Sequence, residues 1–349
     1  MRLRLVLAGL LLLLAACGGG DGRAPFIESR IPPALSPRFW APEGWAWGLI
    51  KVGDAPAQRY GVATTAIAPK AQILVLTGYG ESAETWFETV RDLNGKGYTV
   101  WVLERAGQGG SERYVLPRDL GHAPTFNNDI AATKALTRMM AAGSPDTPLI
   151  ILGHSVGGLV AVAALEKGAG ADGLILSAPA FAAGGAMNGS RAWLVRVGLG
   201  RVPARWDGGW KRDGPDGRGQ GLTSAPLRGA VQKAWQLTNP DLRMGGQSLG
   251  WLASFETSSR DITPGLAQLR MPALLLAGTR DSHADAAAQA RVCAAMVNCV
   301  LQRFENGRHA LHQERDDIRT PWLTAVEDFV RQRIEARKAA VSAASPHEL

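Results

Sequence analysis

Runs rich in apolar residues, with no regular alternation, recur along the chain at 73–76, 99–103, 149–152, 174–177, 273–277 and 300–304, the last containing Gln302 and Arg303. A strand covered on one face alternates apolar and polar side chains, whereas a run apolar at every position predicts a strand buried on both faces. Between two such runs, Phe126, Ile130, Thr133, Leu136 and Met140 recur at helical spacing and predict a helix whose stripe faces the core. The run Leu159-Val160-Ala161-Val162-Ala163-Ala164-Leu165 is compatible with a second helix. The expected fold class is α/β, a mostly parallel central sheet flanked by helices.

The chemistry sits where these runs end. After 149–152 comes Gly153-His154-Ser155-Val156-Gly157-Gly158, a G-x-S-x-G sequence between a strand and a helix. A serine at so sharp a turn stands clear of the backbone, which nominates Ser155 as a nucleophile. A hydroxyl needs a base to take its proton and an acid to orient that base. The run 273–277 leads into Gly278-Thr279-Arg280-Asp281, and the run 300–304 into Glu305-Asn306-Gly307-Arg308-His309. Asp281 and His309 are therefore the expected acid and base, with Asp285 a competitor for the first role and His312 or His283 for the second. The turn Thr77-Gly78-Tyr79-Gly80-Glu81-Ser82 follows the strand at 73–76, so the backbone N–H groups of Tyr79 and Val156 are the expected oxyanion donors.

The chain resembles the α/β-hydrolases, within the group containing lysophospholipase L2, monoacylglycerol lipases and serine aminopeptidase-like hydrolases. The resemblance spans roughly 40–335. It rests on Gly78-Tyr79-Gly80-Glu81-Ser82, Gly107-Gln108-Gly109-Gly110-Ser111, the Ser155 motif, and Gly307-Arg308-His309 with Glu314 following. Leu222-Thr223 and the stretch 239–251 are similar to the lysophospholipase-like branch. Thr77 stands where monoacylglycerol lipases often have His, and Glu104-Arg105-Ala106 replaces the common Asp-x-Arg. The resemblance implies the α/β-hydrolase fold, with a cap inserted at about 181–262 between the strand ending near Ser177 and the strand before Asp281. That segment holds Trp193, Trp206, Trp210, Trp235, Trp251 and Phe255. Such residues suit an acyl-chain pocket, although each alone could simply pack the cap onto the body.

The expected function is a serine ester hydrolase that releases fatty acid from lysophospholipid or monoacylglycerol through an acyl-enzyme. Alternatives are a short-chain carboxylesterase, a peptidase or amide hydrolase on the same scaffold, and a non-catalytic binding lipoprotein.

Outside this frame, Arg2 and Arg4 precede an apolar stretch at 5–14 too short to span a bilayer, followed by Leu14-Ala15-Ala16-Cys17. This is similar to a bacterial lipobox and implies a signal peptide over 1–16, lipidation of Cys17, and a place in the cell envelope, on the periplasmic face of the outer membrane. A secreted or periplasmic form is the alternative. The stretch 17–42 is expected to be a tether, 43–340 the hydrolase domain and 341–349 a disordered tail. Of 3 cysteines, Cys293 and Cys299 then remain, either paired in an oxidising compartment or as two buried thiols. No C-x-x-C or clustered-histidine pattern suggests a metal, and no cofactor is expected. The net charge of +7 is compatible with an anionic surface, but no basic helix with interleaved aromatics supports a nucleic-acid partner. Membrane contact is expected through the lipid anchor. The sequence leaves the oligomeric state open.

Overall fold

The computed structural model describes residues 23–182, 187–206, 208–212 and 219–344. The expected signal peptide, Cys17, the first residues of the tether and the last residues of the tail lie outside them, as does part of the cap. Eight strands, β1 (Trp45–Ile50), β2 (Gln58–Ala63), β3 (Ala71–Leu76), β4 (Tyr98–Leu103), β5 (Leu149–His154), β6 (Gly173–Ser177), β7 (Ala273–Gly278) and β8 (Cys299–Phe304), form one sheet. Their order is β1-β2-β4-β3-β5-β6-β7-β8. β2 pairs antiparallel with β1 and β4, and every other pair is parallel.

The helices are α1 (Phe87–Gly95), α2 (Asn127–Gly143), α3 (Val156–Glu166), α4 (Gly189–Arg196), α5 (Gly219–Leu222), α6 (Pro226–Gly229), α7 (Val231–Thr238), α8 (Leu249–Asp261), α9 (Ala286–Ala295) and α10 (Asp316–Ala344). Successive strand residues point to opposite faces. Ile73 and Val75 of β3 therefore join α1 and α10 in one core layer, while Leu74 and Leu76 join α2, α3 and α9 in the other. Two covered faces are why β3, β5, β6 and β7 are buried at every position. The α2 stripe turns inward as its spacing predicts, with Ile130, Thr133, Leu136 and Met140 buried.

Three departures from expectation have physical causes. β8, read from its sequence as one of the buried runs despite Gln302 and Arg303, is half-exposed, because it is an edge strand with β7 as its neighbour, and Val300 is 64% exposed. β1 and β2 are strands that the apolar runs do not reveal. Each is interrupted by a glycine that an aromatic ring needs. A Cβ on Gly48 would lie 2.3 Å from the Tyr60 ring, and one on Gly61 would lie 1.9 Å from the Trp45 ring. The described part of the expected tether is docked on the domain. Phe26 N donates to Gly110 O (2.8 Å), Asn239 donates to Ile31 O (2.9 Å), and buried Phe39 accepts from the Trp235 indole at its carbonyl (3.3 Å). Phe26 and Phe39 supply the apolar contacts that a free linker would lack.

Strand register brings the functional loops together. Leu76 pairs with Gly153, so the chain leaves β3 and β5 side by side, and Gly278 pairs with Phe304, so it leaves β7 and β8 side by side. All four exits are at the carboxyl edge, where open α/β sheets form their sites. The chain from β6 to β7 carries α4 to α8 and forms the inserted cap.

Candidate active site

Ser155 joins β5 to α3 with φ 53° and ψ −126°, a backbone conformation that costs energy in a non-glycine residue. Its neighbours make the turn sterically possible. A Cβ on Gly157 would lie 2.2 Å from Leu76 O, and one on Gly153 would lie 2.6 Å from the Gly158 Cα. Ser155 N donates to Ser177 O, and Ser155 O accepts from Gly158 N and Ala180 N, so the strained backbone is held from three sides.

His309, on the loop after β8, lies with Nε2 2.9 Å from Ser155 Oγ. Its Nδ1 is 2.8 Å from Asp281 Oδ2. Asp281 Oδ1 accepts from the backbone N–H groups of His283 (2.8 Å) and Ala284 (3.2 Å). Burial opposes the Asp281 charge, but the hydrogen bond and charge of His309 and these N–H groups outweigh it, lowering the pKa. An ionised Asp281 accepts Nδ1–H and leaves the Nε2 lone pair facing the serine hydroxyl. Burial, aided by the charge of His154 and opposed by Asp281, lowers the His309 pKa and favours the neutral ring, the form able to accept a proton.

The competing candidates are placed elsewhere. Asp285 caps α9 by accepting from Ala288 N (2.6 Å). His312 is buried and stacked on Trp86, 3.8 Å between ring centroids. His283 is exposed and stands beside His309 without reaching the serine, ring centroids 5.3 Å apart.

Val156 opens α3, so its N–H has no acceptor within the helix. Tyr79 lies in the facing turn, and both residues line the same cavity as Ser155. Residues that sequence reading passed over shape this turn. Glu81 Oε2 accepts from Gly78 N (2.6 Å) and from the Trp86 indole (3.1 Å). Gln108 donates to Gly78 O (2.7 Å) and accepts from Gly80 N (3.2 Å). The cap adds Gln232, which donates to Gly80 O (2.8 Å). Glu81 and Gln108 stand inside the quoted glycine-rich motifs, but only the fold shows whom they contact.

The cavity over Ser155 has a volume of about 270 Å³. One wall is the apolar face of α8, with Trp251, Leu252 and Phe255, and Gln232, Gln247 and His283 add polar groups. Of the cap aromatics, Trp251 and Phe255 meet the cavity, Trp235 packs against Phe39 and Phe87, and Trp193 and Trp206 face outward. A second cavity of about 460 Å³ lies against the opposite face of α8, away from Ser155. Cys293 and Cys299 are joined by a disulfide that ties the end of α9 to the start of β8. Among the described residues, no group of three or more His, Cys, Asp or Glu is arranged to hold a metal ion, and no helix is long and apolar enough to cross a membrane.

The sheet order, the turn at Ser155 and the helical insertion after β6 define an α/β-hydrolase. The chain belongs to the Hydrolase_4 family, described as serine aminopeptidase, S33, whose model matches residues 67–316. It is similar to lysophospholipase L2 of Escherichia coli strain K12, 25% identical over 275 residues that cover 74% of this chain and 79% of that one. It is 24% identical over 283 residues to the monoglyceride lipase of Mus musculus, covering 78% and 86% of the two chains. A thermostable carboxyl esterase from Bacillus coagulans shares the fold with a TM-score of 0.69 at 18% identity, covering 83% of this chain and 99% of the other. A soluble variant of the Saccharomyces cerevisiae monoglyceride lipase does so with a TM-score of 0.62 at 15% identity, covering 89% and 99%. The chain is thus a hydrolase similar to lysophospholipases and monoglyceride lipases.

Proposed function

We propose that the chain is a serine ester hydrolase that releases fatty acid from lysophospholipids or monoacylglycerols. The observation that supports this best is the hydrogen-bonded series Ser155, His309, Asp281 opening onto a cavity walled by Trp251, Leu252 and Phe255. In this reading Ser155 Oγ attacks the ester carbonyl as His309 Nε2 takes its proton, and the N–H groups of Tyr79 and Val156 hold the oxyanion. His309 returns the proton to the departing alcohol and Ser155 keeps the acyl group. Water then gives a proton to His309, its hydroxide releases the fatty acid, and Ser155 regains its proton. Asp281 fixes the His309 tautomer throughout.

The family description includes aminopeptidases, and binding a free amine would call for an available carboxylate in the cavity. Among the described lining residues the carboxylate is Glu81, and it is engaged by His154, Gly78 N and the Trp86 indole. That supports ester over aminopeptidase chemistry. We further propose, from the pattern at residues 2–17, that Cys17 is lipidated and anchors the enzyme in the cell envelope; Cys17→Ala then moves it out of the membrane fraction.

The test is Ser155→Ala assayed on lysophospholipid, monoacylglycerol and an aminoacyl amide. Loss of lipid ester turnover by about a thousandfold or more with an unchanged melting curve is expected. Full activity in the variant, or cleavage of the amide in preference to both lipids by wild type, overturns the reading.

A further inference from the structure

The cavity has two chemically different ends, and the reaction dictates which end receives which half of an ester. His309 Nε2 must protonate the departing alcohol, so the alcohol lies on the His309 side of Ser155. The acyl chain is left to the apolar wall of α8.

On the His309 side stands His283. Its ring centroid is 5.3 Å from that of His309, it lines the cavity, and it is exposed. Its backbone N–H donates to Asp281 Oδ1 (2.8 Å), and its ring Nδ1 lies 3.3 Å from Ser282 Oγ. Gly221 of the cap leaves room for it, since a Cβ there would lie 2.7 Å from His283 Cε1. Leu222 follows, with its carbonyl accepting from Ala310 N (2.8 Å), and Arg308 reaches the next carbonyl, that of Thr223 (3.1 Å). The alcohol end therefore carries an imidazole. The neighbouring carboxylates are committed: Asp281 to His309, and buried Glu314 to Ser224 and the Arg308 N–H.

We propose that His283 is the headgroup-selecting residue, donating an N–H to the phosphate of a lysophospholipid and favouring that substrate over a neutral monoacylglycerol. This rests on the ester hydrolase reading above and names the substrate class at that site. An imidazole offers an N–H donor in either protonation state, and a hydrogen bond to an anionic phosphate is stronger than one to a glycerol hydroxyl. The residue acts on binding, because it touches the part of the substrate that does not react.

The experiment compares wild type, His283→Ala and His283→Arg on a lysophospholipid and a monoacylglycerol with the same acyl chain, and on p-nitrophenyl butyrate. The expected result for His283→Ala is a KM for lysophospholipid raised about five- to tenfold, with kcat and both other substrates within about twofold of wild type. His283→Arg restores the low KM, because a guanidinium also donates to phosphate. Equal losses on all three substrates indicate that His283 merely supports the Asp281 loop and overturn the proposal, as does an unchanged KM. A wild-type enzyme that cleaves both lipids while His283→Ala keeps the wild-type preference between them sinks this proposal alone. A wild type that cleaves neither lipid sinks both readings.

Discussion

Glu81 Oε1 and His154 Nδ1 lie 2.9 Å apart in the interior, joining the turn after β3 to the residue just before Ser155. The ring N–H is poorly aligned with the oxygen, so the attraction is chiefly that of an ion pair. Burial alone would suppress both charges. Each outweighs it for the other, holding Glu81 down at about 2 and His154 above its ordinary value. His154 also approaches His309 O with Nε2 at 3.4 Å, so one residue links the turn after β3, the strand leading to Ser155 and the loop that carries His309.

The pair should appear in the pH dependence of the rate. The His154 charge is one of the groups depressing His309. In Glu81→Gln, burial leaves His154 neutral, that repulsion disappears and the His309 pKa rises. The acid limb of kcat/KM on a short-chain ester, expected below about 6.5 in wild type, should move to higher pH in the variant. An unmoved limb would show that His154 carries no charge.

Stability should follow the same pair. Glu81, depressed on folding, contributes fully above its unfolded value of ~4.3, and the contribution is lost as pH falls through about 2. His154, raised on folding, contributes fully below ~6.5 and loses its contribution as pH rises through its higher folded value. The difference in Tm between wild type and Glu81→Gln should therefore be widest between about pH 4.3 and 6.5 and narrow on either side. Melting curves across that range check it, and a constant difference would contradict it.

If the Tyr79 N–H holds the oxyanion as proposed, the cap should influence the chemical step through the turn that carries it. Gln232 holds Gly80 O, and Tyr79 Oη donates to Gly245 O (3.1 Å), so cap residues grip the turn at Tyr79 and Gly80. Gln232→Ala is expected to lower kcat about three- to tenfold, with KM changed less, because a displaced donor is missed mainly in the transition state. A change confined to KM would assign Gln232 to substrate binding instead.

Phe255 lines the cavity from α8 and stacks on Trp251, ring centroids 5.6 Å apart. Phe255→Ala should reduce kcat/KM for a long-chain substrate by about tenfold or more while leaving an acetate ester within about threefold, since burial of apolar chain is what is lost. Equal effects on both chain lengths would place the acyl group elsewhere.

The Cys293–Cys299 bond closes a short loop, with a sequence separation of 6. Loop-closure entropy for so few residues amounts to about 2 kcal/mol. Reduction, or Cys293→Ser, should lower the Tm by about 3 °C and leave turnover nearly intact, because β8 still pairs with β7 along its length. Inactivation without loss of folding would mean that the bridge positions His309.

The parts legible in sequence are those dictated by local pattern. β3, β5, β6 and β7 are covered on both faces, so their sequences carry no alternation to misread, and Ser155 and Asp281 each follow such a run, while His309 follows the half-exposed edge strand β8. β1 and β2 escaped because their aromatics and glycines make sense only across the pair, Trp45 over Gly61 and Tyr60 over Gly48. The Glu81–His154 pair escaped because its members meet only through the register of β3 with β5. Residue type likewise could not say that Trp251 would meet the cavity while Trp206 would face outward.

The most direct test of the account is mass spectrometry of the protein after treatment with a fluorophosphonate, with hydrolysis of a long-chain lysophospholipid followed in the same sample. The account predicts a single adduct on Ser155, formed in step with the loss of hydrolysis and absent from His309→Ala. Hydrolysis that persists after Ser155 is fully modified, or an adduct on a different serine that abolishes it, would contradict the account.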